Sequence, residues 1–118
     1  MSDACYCDYA SPEAHSRSVH RARKAHQCDE CFKPIPPGET YEYVWGKWEG
    51  ETATFKTCAR CLALREWLQA LVPCFCWAHG NLIEDAQNTV EDYAHETVGL
   101  RFGFLRRKVL IEGKRKHA

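Results

Sequence analysis

Four of the eight cysteines in this 118-residue chain have the spacing of a zinc site. They form two Cys-x-x-Cys pairs, separated by 26 residues: Cys28, Cys31, Cys58 and Cys61. Two cysteines at this spacing can bring both sulfurs to one tetrahedral Zn²⁺ ion. The second pair stands where a helical pattern begins, and the free N–H groups of a helix N-terminus favour thiolate. Because four thiolates leave no coordination position for water, the spacing predicts a structural zinc ion and not a catalytic one.

The other four cysteines form a less specific pattern. Each pair has a single intervening residue, and a histidine follows the second pair at position 79. The matching pairs predict a second zinc site whose ligands are Cys5, Cys7, Cys74 and Cys76, with His79 as a substitute for one of them. The alternative is a set of free thiols, because cysteine often serves as a small core residue.

So many cysteines have two general explanations, disulfides or metal thiolates. Residues 1–15 have no basic start and no apolar run, so we do not expect a signal peptide. No stretch approaches the roughly 18 continuous apolar residues needed to span a bilayer. We therefore expect a cytoplasmic protein with reduced thiols, which favours metal thiolates over disulfides. A redox-active pair is a weaker alternative, since no thioredoxin-like pattern surrounds the cysteines. An iron–sulfur cluster is also weaker, since nothing nearby suggests electron transfer.

The elements around the first four cysteines predict a small α+β domain, stabilised by zinc and similar to a treble clef. Residues 40–45 and 52–57 read as two strands of a hairpin, joined by a turn that contains two glycines. A helix should follow from Cys58 and end at Pro73, because its apolar residues recur at helical spacing. A Cys-x-x-Cys turn, a hairpin and a helix that supplies the last two ligands is the treble-clef order.

Three further elements are predicted outside this core. Ser11 and Pro12 predict the start of a polar N-terminal helix that extends to Ala25. A second helix should run from Leu82 to about Thr97, with Asn81 as its cap and Glu84 in the capping-box position three residues later. The segment 100–111 reads as a terminal strand or extended arm. We expect a single domain with four parts: an N-terminal segment (1–27), the treble-clef-like core (28–72), the second helix and terminal strand (73–112) and a basic tail (113–118).

The formal net charge is zero, with 16 basic and 16 acidic side chains, but the charges are segregated. Two basic groups could neutralise phosphates of a nucleic acid: Arg17, Arg21, Arg23, Lys24, Arg106, Arg107 and Lys108. The acidic second helix and the hairpin tryptophans, Trp45 and Trp48, instead indicate a protein interface, since exposed tryptophans are typical interface residues. The alternative is that these tryptophans pack over the zinc core.

No catalytic motif stands out. HNH-type nucleases share the treble-clef order, but the segment 40–57 contains no histidine to hold a catalytic metal. The His-x-Glu motif of zinc deaminases is also absent. We therefore expect a protein that is not an enzyme, with a divergent HNH-type nuclease as the least favoured alternative.

Several segments resemble a group of small proteins encoded by bacteriophages and prophages, for which no activity is defined. They are residues 26–31, 35–43, 46–50, 55–61 and 73–85. The resemblance implies a phage origin and action inside a bacterial cell. We expect a protein that binds and modulates a host protein, such as a defence or nucleic-acid-processing factor. The alternative is an accessory protein that binds nucleic acid through the basic segments. The sequence predicts no membrane partner and leaves the oligomeric state open.

Overall fold

The computed structural model describes residue 7 and residues 9–113, and in this part of the chain it has three helices and two antiparallel sheets. The fold is therefore a small α+β arrangement. Its elements in chain order are β1 (Ala14–Arg21), β2 (His26–Gln27), β3 (Pro34–Ile35), β4 (Thr40–Trp48), β5 (Glu51–Cys58), α1 (Ala59–Leu71), α2 (Leu82–Tyr93) and α3 (Leu100–Glu112). The larger sheet has the order β1-β4-β5, and β2 pairs with β3 in a separate ribbon.

The predicted hairpin is confirmed, but its strands are longer than the sequence pattern indicated, because Gly46, predicted in the turn, lies in β4 opposite Ala53. Strands β4 and β5 pair from Tyr41 opposite Cys58 to Trp48 opposite Glu51. The two turn residues, Glu49 and Gly50, both have positive φ values, of 52° and 86°. A two-residue turn with positive φ at both positions matches the right-handed twist of paired strands, so it holds the register of the hairpin.

The predicted N-terminal helix is wrong, because residues 14–21 form strand β1. This strand pairs with β4 along its whole length, from Ala14 opposite Lys47 to Arg21 opposite Thr40. Almost all of its residues are exposed, so no apolar alternation marks it as a strand. Its stability comes from hydrogen bonds to β4, which the helix-start signal at Ser11 and Pro12 does not reveal.

The predicted terminal strand is also wrong, because residues 100–112 form helix α3. Its buried residues are Leu100, Phe104 and Ile111, whose spacing of four and seven places them on one face of a helix. The segment resembled a strand because Phe102 and Val109, which also lie in it, are apolar but exposed. Helix α2 forms as predicted but ends at Tyr93 and does not reach Thr97.

The core lies between the three helices and the sheet. Its fully buried members come from every helix and from the metal-binding segments, and they include Cys28, Ile35, Leu64, Leu68, Leu82, Val90, Leu100 and Ile111. Helix α3 packs on both α1 and α2, so the three helices bury one another's apolar faces. None of the described helices has the length and apolar character needed to cross a membrane.

Candidate metal centre

The four cysteines of the two Cys-x-x-Cys pairs lie together and could hold a metal ion. Their sulfurs are all within 4.8 Å of one another. The Cys28 and Cys61 sulfurs are 3.8 Å apart, and those of Cys31 and Cys58 are 3.9 Å apart. A tetrahedral ion with bonds of about 2.3 Å to sulfur requires sulfur–sulfur separations of about 3.8 Å. The cluster therefore already has the dimensions of a four-thiolate site.

The first pair is held by a tight turn. The Cys28 N–H donates to the Lys33 carbonyl at 3.0 Å, and the Phe32 N–H donates back to the Cys28 carbonyl at 3.0 Å. Closing this turn puts Phe32 at a φ of 63°, the left-handed region that non-glycine residues rarely adopt. The Glu30 N–H points to the Cys28 sulfur at 3.3 Å, so the turn also supplies a donor to a thiolate.

The second pair lies at the start of α1. Cys58 is the N-cap residue, and its sulfur accepts the N–H of Cys61 at 3.5 Å. The Cys58 N–H in turn donates to the Cys28 sulfur at 3.3 Å. These N–H groups and the positive end of the helix stabilise negative charge on sulfur. The local sequence thus places the last two ligands where thiolate is favoured.

The four thiols of the cluster influence one another's ionisation. Hydrogen bonds from Cys31, Cys58 and Cys61 lower the pKa of the Cys28 thiol. The same contacts, with Cys28 as the largest contributor, raise the pKa of Cys61. Without a counter-charge, one thiolate at Cys28 therefore suppresses ionisation of the thiol beside it. A bound divalent cation removes this penalty, which is why metal binding to such clusters releases protons.

The turn is joined to helix α2 through Glu30. This side chain is only 8% exposed, and its carboxylate accepts the N–H groups of Gly80 at 2.8 Å and Leu82 at 2.9 Å. Burial raises the pKa of Glu30, while these two hydrogen bonds oppose the shift. Glu30 therefore caps α2 from another part of the chain. Asn81 is the N-cap residue of α2, as predicted, but its side chain makes no capping bond and donates to Asp85 at 3.0 Å instead.

The described cysteines of the second group are oxidised, unlike those of the first. Cys7 and Cys76 are joined by a disulfide, and Cys74 is also disulfide-bonded. The sulfurs of Cys7, Cys74 and Cys76 lie within 4.8 Å of one another, so this group could hold a metal ion when reduced. Cys5, the fourth predicted ligand, lies outside the described residues. His79 is not part of the group.

His79 belongs instead to an aromatic cluster on the sheet. Its ring stacks on Phe55 with centroids 4.7 Å apart, and Trp77 contacts it edge-on at 4.7 Å. Trp48 packs on Phe55 at 5.8 Å, so it is not a free side chain at the hairpin tip. Burial, followed by the charge of Arg65, lowers the pKa of His79 to about 4. His79 is therefore neutral near pH 7.

A buried ion pair lies next to the aromatic cluster. Glu42 is 1% exposed and accepts two hydrogen bonds from Arg65, at 2.9 and 2.5 Å, as well as one from Arg17. Burial alone would raise the pKa of Glu42, but the two arginines outweigh it and lower the pKa. The guanidinium of Arg65 also lies 4.5 Å from the centre of the Trp77 ring.

The predicted basic residues lie on two separate elements. Arg17 and Arg21 are on β1, with Arg23 and Lys24 in the loop that follows, whereas residues 106–108 are on α3. Several of them already have partners in the chain. Arg17 pairs with Glu42, and the guanidinium of Arg107 lies 4.2 Å from the Trp67 ring centre.

Of the predicted interface tryptophans, Trp45 is 36% exposed on β4. Nothing in the sequence pattern pointed to the aromatic cluster or to Glu30, because their members come from distant segments.

The chain matches no protein-family model, no curated protein and no solved structure at a significant level.

Proposed function

We propose that this chain is a non-enzymatic protein-binding module that a structural zinc ion stabilises and that docks a host protein on helix α3. The observation that carries the proposal is an exposed apolar face of α3. A host partner is suggested by the resemblance of the sequence to small phage proteins.

Zinc is the metal we assign to Cys28, Cys31, Cys58 and Cys61. Four thiolates with tetrahedral dimensions suit Zn²⁺, and a closed shell gives it a structural role. The order of turn, hairpin β4–β5 and helix α1 supports a treble-clef-like core. We assign a second zinc ion to Cys5, Cys7, Cys74 and Cys76 in their reduced state; the last three of these lie together, and Cys5 is outside the described residues.

The exposed face of α3 is unusually apolar for a small protein. Four large side chains project from it: Phe102 (66% exposed), Leu105 (54%), Val109 (54%) and Leu110 (63%). Phe102, Leu105 and Val109 follow one another at spacings of three and four residues, so they share one side of the helix. Single exposed apolar residues are ordinary, but a contiguous patch of this kind marks an interaction site.

The charges beside this patch indicate the chemistry of the partner. Helix α3 carries Arg101, Arg106, Arg107 and Lys108 against the single acid Glu112, and it keeps a net positive charge although Arg101 pairs with Glu91 and Lys108 with Glu112. A second copy of the same helix would bring like charges together across the interface, which costs free energy. An amphipathic helix with an apolar stripe and acidic flanks complements both features, so we assign that occupant to the patch.

Nucleic-acid binding is less well supported. The basic residues of β1 and α3 lie on different elements, and Arg17 and Arg107 are engaged within the chain. The zero net charge also argues against strong binding to phosphates.

A matched pair of variants tests the proposal. Val109 on α3 and Val19 on β1 are exposed valines, at 54% and 56%. We expect Val109→Glu to abolish capture of the specific partner from bacterial lysate and Val19→Glu to leave it intact. The captured partner should contain an acidic amphipathic segment, and a synthetic peptide of that segment should bind the wild-type chain by calorimetry.

Three outcomes would overturn the assignment. Equal capture by both variants would remove α3 from the interface. A dimer of the wild-type chain in light scattering, lost in Val109→Glu, would give the patch to a second copy. Tight, steeply salt-dependent binding to a generic DNA duplex would favour the nucleic-acid alternative.

A further inference from the structure

A cavity of about 640 Å³ lies between the hairpin end of the sheet, the loop 75–79 and the N-terminal segment. Seven rings from these three segments line it: Tyr9, His15, Trp48, Phe55, Phe75, Trp77 and His79. Its size is that of a small-molecule site, and it is separate from the apolar face of α3.

The walls of the cavity are held in place by three contacts. The Tyr9 hydroxyl donates to the Asp85 carboxylate at 2.8 Å, and the Cys7–Cys76 disulfide joins the N-terminal wall to the loop. Behind the opposite wall, Arg65 stacks on Trp77. Fixed walls reduce the entropy that a ligand must overcome on binding.

The charges around the cavity decide which ligands it suits. The described residues that line it include the carboxylate of Glu51 and the imidazole of His15 but no Lys or Arg, so a phosphate or carboxylate would meet a like charge and no permanent cation. The surroundings also resist a positive charge, because burial and Arg65 keep His79 neutral by lowering its pKa to about 4. An organic cation placed among the rings beside His79 would meet the same desolvation and the same arginine, whereas the Glu51 carboxylate is exposed to solvent. We therefore expect the ligand to be neutral.

We propose that this cavity binds a small, flat, uncharged aromatic heterocycle that stacks among its rings. The exposed carboxylate of Glu51 and the hydroxyl of Thr52 lie in its lining and can accept ring N–H groups. This assignment is independent of protein binding at α3.

Adenine and indole are suitable neutral probes for the zinc-loaded, disulfide-intact chain. At about 0.3 kcal/mol or more for each non-hydrogen atom, such small ligands should bind in the millimolar range or tighter. We expect saturable shifts of the tryptophan side-chain N–H signals in NMR titrations. AMP should bind at least about tenfold more weakly than adenosine, from which it differs by the charged phosphate. Phenyltrimethylammonium should bind at least about tenfold more weakly than its uncharged isostere tert-butylbenzene.

Two variants of strand β5 test whether the probes bind in this cavity. Ala53 lines the cavity, so Ala53→Phe should fill it and weaken binding at least about tenfold. Its neighbour Thr54 is exposed and outside the lining, so Thr54→Phe should leave the affinity unchanged. Phe75→Leu, which removes a ring and keeps an apolar side chain, replaces the filling variant if that variant loses zinc.

The proposal is overturned if neither neutral probe binds, or if a charged analogue binds as tightly as its neutral counterpart. It is also overturned if a folded Ala53→Phe or Phe75→Leu chain keeps the wild-type affinity.

Discussion

The cap that Glu30 provides to helix α2 gives the most direct test of the structure. In Glu30→Ala, the N–H groups of Gly80 and Leu82 lose their acceptor. Leu82 is fully buried, so its N–H finds no water and costs about 1–3 kcal/mol. Gly80 is exposed and can be hydrated, but the loss of a carboxylate at the helix N-terminus adds about 0.5–1 kcal/mol.

Part of this loss is regained because the variant no longer buries a charge, a cost that the raised pKa of Glu30 reflects. We therefore expect Glu30→Ala to lower the free energy of unfolding by about 2–3 kcal/mol. Glu30→Gln keeps one acceptor oxygen and should lose about half as much. Urea unfolding followed by circular dichroism at pH 7 measures both values, with free zinc held constant because bound metal adds to stability.

Glu84 is the matched control. The sequence pattern makes it the capping-box partner of Asn81, whereas in the structure it is exposed on the first turn of α2. Glu84→Ala should change the free energy of unfolding by less than about 0.5 kcal/mol. The reasoning is refuted if Glu84→Ala costs as much as Glu30→Ala, or if Glu30→Ala stays within about 0.5 kcal/mol of the wild type.

Three further predictions concern the turn, the metal ions and the buried histidine. Phe32 has a φ of 63°, so Phe32→Gly should be more stable than Phe32→Ala by about 1 kcal/mol in thermal unfolding; equal stabilities would mean that the turn is not strained. In native mass spectrometry, the reduced wild-type chain should carry two zinc ions. The chain that keeps its Cys7–Cys76 disulfide should carry one zinc ion. Cys58→Ala should lose the first ion and the fold, and a variant that stayed folded and fully loaded would contradict the metal assignment. The pKa of His79 is about 4 in the folded chain and about 6.5 in the unfolded chain, so its contribution to stability is complete above pH 6.5 and is lost as the pH falls towards 4. Relative to His79→Phe, the wild type should lose up to about 1.4 kcal/mol for each pH unit between 6.5 and 5, and a constant difference would show an ordinary histidine.

The sequence by itself determined the parts of the fold that depend on near neighbours. The cysteine spacing identified the four sulfurs that meet. The β-branched and aromatic runs around the two glycines located β4 and β5, and the helical spacing of Leu64 and Leu68 located α1. These signals suffice because each element is formed mainly by residues close in the sequence.

Only the tertiary structure decided the identity of β1 and α3. A strand whose residues are nearly all exposed has no pattern of its own, and β1 forms because β4 offers an edge to pair with. In α3, the exposed Phe102 obscured the helical spacing of the buried Leu100 and Phe104. That residue lies in the apolar face proposed to dock a partner, so a side chain exposed on that face concealed the structural pattern.

The tertiary structure also decided which side chains act together. Glu30 caps a helix that begins 52 residues later, and Cys7 joins Cys76 across 69 residues. The cavity needs rings from three distant segments. Spacing can predict the ligands of the zinc site because two short chelating pairs suffice to form it. No local rule predicts the cap or the cavity, because burial and hydrogen bonding between distant segments create them only when the chain is folded.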